Sequence, residues 1–95
     1  MSHAKLNTEL VIEQITEAKV VLDAALMQSK LDHSPIEINL AQVTACDASG
    51  LQLLLATWRS AEEMATTVIL QTPSSTIRQI LTTYNLIQYF TIAME

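Results

Sequence analysis

Short segments of strand period alternate with segments of helical period along the whole 95-residue chain. This alternation constrains the fold more than any other feature. Residues 4–11 open with a brief first strand around Leu6, Leu10 and Val11. From Glu13 to Lys30 the apolar positions Ile15, Ala18, Leu22, Ala25 and Leu26 recur at spacings of three and four, which predicts a helix. Glu13 and Glu17 in its first turns and Lys30 in its last match the helix dipole. Leu31-Asp32-His33-Ser34-Pro35 reads as a turn, since proline disfavours helix in the residue before it.

Ile36-Glu37-Ile38-Asn39-Leu40 alternates apolar with polar and predicts a strand. A connector, Gln42 to Asp47, leads to a second helix over Ser49 to Ala65, with Leu51, Leu54, Leu55, Trp58 and Ala61 as its inner stripe. Thr67 to Gln71 is nearly continuous in apolar residues, as for a central parallel strand covered on both faces. Ser74 or Ser75 caps a third helix whose stripe is Ile77, Ile80, Leu81 and Tyr84. Asn85 ends it, and Tyr89 to Ala93 forms an edge strand. The expected class is α/β: one domain over residues 1–95, a small, mostly parallel sheet of about four strands with helices packed on it. In such sheets the functional crevice lies beyond the carboxyl ends of the strands, here Val43 to Gly50.

Composition removes several function classes. Five Lys and Arg stand against ten Asp and Glu, a formal charge of −5, with no basic run. Neither a phosphate backbone nor an anionic membrane surface suits such a chain. No signal peptide and no membrane-spanning stretch is visible, so the expected location is the cytoplasm. One glycine, Gly50, allows no glycine-rich phosphate loop. His3, His33 and Cys46 lack ligand spacing, so neither metal nor cofactor is expected. His3 reads as solvated tail. Cys46 reads as a small apolar-like side chain, and Ser49 has no visible base partner, so catalysis is not expected.

What remains is Asp47-Ala48-Ser49-Gly50-Leu51. Asp47, or alternatively Ser49, caps the second helix, and Gly50 is expected to leave its first turn bare and accessible. The stretch from Ile36 through Cys46-Asp47-Ala48-Ser49-Gly50-Leu51 to Leu55 resembles the signature of the STAS domain family: an apolar strand, a connector, Asp-Ser-Ser/Thr-Gly-Leu or a relative, then a leucine-rich helix. Thr72 to Leu81 resembles the family's third helix opening, and the likeness covers roughly residues 12–92.

The resemblance implies reversible docking on another protein through Asp47, Ala48, Ser49, Gly50, Gln52 and Leu53. The implied partner is a regulatory protein, either kinase- or anti-sigma-factor-like or part of a chemotaxis system. The family also includes an accessory subunit of a bacterial lipid ABC transporter. In its anti-anti-sigma members the residue after the aspartate is phosphorylated by the partner kinase. Here that residue is Ala48, which has no hydroxyl, so Ser49 is the alternative phosphorylation site. The exposed edges of such a sheet leave a homodimer open.

Overall fold

In a computed structural model, which describes residues 2–94, four strands form one parallel sheet in the order β1-β2-β3-β4. They are β1 (Ser2–Lys5), β2 (Ile36–Asn39), β3 (Val68–Gln71) and β4 (Thr91–Ala93). Helices α1 (Ile15–Asp32), α2 (Ala48–Glu63) and α3 (Ser75–Thr83) connect them in turn. A 3₁₀ turn, Ile12–Gln14, leads into α1, and another, Ile87–Tyr89, precedes β4. The α/β class and the parallel sheet expected from the alternation are therefore present.

The strand order decides where the helices lie. Each crossover steps to the next strand in the same direction. Right-handed connections that never reverse put every helix on one face. Burial follows this rule: Ala4, Ile36, Ile38, Val68 and Leu70 are buried on the helix side, with Leu22, Leu54, Ile77 and Leu81 above them. The neighbours Glu37, Asn39, Ile69 and Gln71 are half-exposed on the opposite face. The expectation that Thr67 to Gln71 is covered on both faces is thus corrected. No reversal of strand order leaves a helix for the second side. That side is polar instead: Gln71 donates to Glu37 Oε1 at 2.6 Å, and His3 Nε2 lies 3.4 Å from Glu37 Oε2. His3 is therefore a strand residue and not solvated tail.

Two further expectations shift. The first strand lies at Ser2–Lys5, ahead of the expected 4–11, because β1 pairs with β2 in the register His3 to Glu37 and Lys5 to Asn39. Leu6 and Leu10 are buried beyond its end. In α2 the buried stripe runs through Leu51, Leu54, Thr57 and Ala61. Leu55 and Trp58 lie half-buried on its flank, where the Trp58 ring sits 4.7 Å from that of Tyr89. Thr57 takes the inner place because its hydroxyl is satisfied by the Leu53 carbonyl at 2.9 Å. Helix α1 ends on His33 in the left-handed conformation, and Asn85 adopts the same conformation after α3.

Candidate functional site

Helix α2 starts beyond the carboxyl end of β2, after a connector whose backbone is held by the loop that follows β1. Leu10 and Cys46 form an isolated parallel bridge: Leu10 N–H donates to the Ala45 carbonyl, and Asp47 N–H donates to the Leu10 carbonyl, each at 3.0 Å. One residue pair further out, Glu9 clamps Thr44. Its carboxylate accepts the Thr44 N–H at 2.8 Å and the Thr44 hydroxyl at 2.6 Å. The Thr44 hydroxyl, then its N–H, holds the Glu9 carboxyl below its ordinary range.

Asp47 is the N-cap. Its Oδ1 accepts from Ser49 N–H at 2.9 Å and from Gly50 N–H at 3.2 Å. Its Oδ2 accepts from Ile12 N–H, 35 residues away in sequence, at 2.9 Å. The cap expected at Asp47 is present, and Ser49 is not the cap. These three donors, Ile12 first, hold the Asp47 carboxyl below the usual aspartate range. One carboxylate thus fastens the loop before α1 to the first turn of α2.

Gly50 corrects the expectation of a bare, accessible turn. It is buried. A Cβ placed on it would lie 2.2 Å from the Leu10 carbonyl oxygen, 2.6 Å from Leu10 Cβ and 2.9 Å from Cys46 Sγ. The open side of the glycine is filled by the 9–12 loop, so glycine is needed for close approach of two backbones.

The outward surface of this helix start consists of other residues. Ala48 and Gln52 are exposed, and Ser49 and Leu53 are half-exposed. Beside them stands Ile12, 59 % exposed, on the loop that Asp47 anchors. Ile12 stands three residues before Ile15, the spacing of the α1 stripe itself, so its exposure is not legible in the sequence. Nothing in the sequence reveals that its N–H reaches Asp47. The Ser49 hydroxyl makes no hydrogen bond among the described residues.

The site's chemistry is quiet. Burial pushes the Cys46 thiol up to about 11, with the Asp47 carboxylate adding to the shift, so at neutral pH the sulfur is protonated and a poor nucleophile. The Asp47 oxygens are engaged by backbone donors. Among the described residues no group of three His, Cys, Asp or Glu side chains could hold a metal ion, and no helix is long and apolar enough to cross a membrane.

No curated protein matches the sequence. Among solved structures, the fold is similar to that of a Thermotoga maritima protein provisionally assigned as an anti-sigma factor antagonist, with a TM-score of 0.79 and 21 % identity over 99 % of this chain and 80 % of that one. It is also similar to the anti-sigma factor antagonist SpoIIAA in its unphosphorylated form, with a TM-score of 0.72 and 25 % identity over 98 % and 79 % of the two chains. The STAS_2 family model, described as "Mlab, STAS domain", matches residues 3–92. With that match spanning nearly the whole chain, and with helix α2 starting at an Asp-Ala-Ser-Gly turn beyond β2, the protein belongs to the STAS domain family.

Proposed function

We propose that this chain is a non-catalytic docking module of a bacterial regulatory system, working in the cytoplasm, whose contact surface is the start of α2. Ala48, Gln52 and Leu53 meet the partner, with Ile12 at the rim. Asp47 and Gly50 do not touch it; they hold the platform still. The observation that carries this reading is the saturation of Asp47 by Ile12, Ser49 and Gly50 N–H groups beneath an exposed Ala48 and Gln52. A rigid surface loses little entropy on binding. The protonated Cys46 and the engaged Asp47 offer no nucleophile and no base, which favours docking over catalysis.

The partner is a regulatory protein of the kinase or anti-sigma factor kind, by similarity to SpoIIAA, which is described as an anti-sigma factor antagonist. A chemotaxis protein or a lipid ABC transporter would be met through the same surface. With Ala48 in place of a phosphorylatable residue, docking is constitutive. One observation favours a second reading, in which Ser49 is the switch: the residue is half-exposed and its hydroxyl is unbonded among the described residues. A phosphate there would add about two negative charges at the contact surface.

A photo-crosslinking residue at Gln52, compared with one at the exposed Glu62, identifies the partner in cells. Titration of the purified partner against Ala48→Arg and Gln52→Lys is then expected to show at least about tenfold weaker binding. Unchanged affinity in both variants refutes the docking surface. Phosphate on Ser49, read by mass spectrometry after incubation with a partner kinase, selects the second reading.

A further inference from the structure

Helix α1 has two apolar faces. Ala18, Leu22 and Ala25 are buried against the sheet and α2. On the opposite side Val20, Ala24, Met27 and Leu31 follow one another at spacings of four, three and four. Val20, Met27 and Leu31 are 64 %, 62 % and 70 % exposed. A solvated helix face carries polar residues at these places. This spacing matches the a and d positions of a helix that packs against another helix.

The two halves of the seam differ in shape and charge. The N-terminal half, Val20 and Ala24, borders a groove that runs on to Gln28 between α1 and the edge strand β1, where His3, Ala4 and Lys5 line it. The C-terminal half carries the long side chains of Met27 and Leu31. Asp23 flanks the first half and Lys30 the second. Asp23 lies 2.7 Å from Lys19, while Lys30 makes no ion pair among the described residues.

We infer that this face is closed by a second copy of the chain, α1 lying antiparallel on α1 about a two-fold axis near the middle of the seam. In that arrangement Leu31 enters the groove beside the partner's Val20, and Met27 packs over the partner's Ala24, large against small. Asp23 stands beside the partner's Lys30, and the same contact recurs by symmetry. A parallel pair in register would stack Met27 on Met27 and Ala24 on Ala24, leave the groove empty, and set Asp23 against the neutral Gln28. The surface is therefore self-complementary in one orientation. It lies on α1 and β1, apart from the helix start proposed above as the docking site, so a dimer keeps both docking surfaces free. One helix face a side is a small interface, so association is weak.

Sedimentation equilibrium of the full chain over about 5–500 μM tests the inference. A monomer–dimer equilibrium is expected. Met27→Glu and Leu31→Glu, at exposed positions, are expected to weaken it at least about tenfold with an unchanged circular dichroism spectrum. Asp23→Lys alone and Lys30→Asp alone are each expected to dissociate. Mixing the two variants pairs opposite charges at both contacts and is expected to restore a heterodimer. A monomer throughout this range overturns the inference. So does a dimer indifferent to Met27→Glu, or a mixture that stays monomeric. Loss of a different protein's binding in Met27→Glu, with the chain itself monomeric, assigns the face to a heterologous partner and also overturns it.

Discussion

Helices α2 and α3 both begin beyond the carboxyl end of a strand and both carry a side-chain cap, yet their starts are built differently. At α3, Ser74 accepts one N–H, from Ile77 at 3.2 Å, and donates to the Val43 carbonyl at 3.1 Å. At α2, Asp47 accepts three N–H groups, one of them from Ile12 in a distant loop, and Gly50 lets that loop lie against the helix backbone. The first ties the start of α3 to the connector before α2 through a single donated bond. The second joins a loop, a connector and a helix into one rigid body. The larger number of ties predicts a stiffer start for α2, the one whose outer residues, Ala48 and Gln52, are exposed.

The comparison breaks most sharply at Gly50. Gly50→Ala forces a methyl group onto the Leu10 carbonyl and is expected to cost about 3 kcal/mol or more in urea unfolding. Ser75→Ala, at the exposed first position of α3, is expected to change stability by less than about 0.5 kcal/mol. Equal effects would mean that the 9–12 loop yields easily and that the α2 start is no stiffer than that of α3.

The caps give the next largest effect. Ser74→Ala is expected to cost about 1 kcal/mol. Asp47→Ala is expected to cost more, and to quicken amide exchange at Ile12 as well as at Ser49 and Gly50. Exchange that quickens only within α2 would show that the loop holds itself in place.

Acid provides a gentler probe. The Asp47 carboxyl is held below its ordinary value of 3.8 in the folded chain, and that of Glu9 below 4.5. A depressed folded value contributes stability that is present above the unfolded value and lost as pH falls through the folded one. Stability is therefore expected to decline below about pH 4.5, with Asp47→Asn flattening the lower part of that decline in urea unfolding at pH 3–7. An unaltered profile in Asp47→Asn would place the acid sensitivity elsewhere.

The smallest effect on stability is expected at the outer surface. Ala48→Arg and Ile12→Ser are expected to shift unfolding by less than about 0.5 kcal/mol, since neither side chain is buried. Their effect belongs to binding, and a large stability loss in either would show that these residues hold the fold together.

The alternation of periods alone determined the α/β class, the three helices and strands β2 and β3 to within a residue or two, because side-chain periodicity is a local property of each segment. The cap was narrowed to Asp47 or Ser49 for the same reason, and the Asp47 donors Ser49 and Gly50 are close in sequence. Tertiary structure decided the rest. The single direction of strand order left one sheet face uncovered, which the apolar run Val68-Ile69-Leu70 does not reveal. Gly50 turned inward because Leu10 lies against it, and Ile12 joined the candidate site through an N–H that reaches Asp47 across 35 residues. Such contacts depend on how the chain returns upon itself, and no pattern within either segment records them.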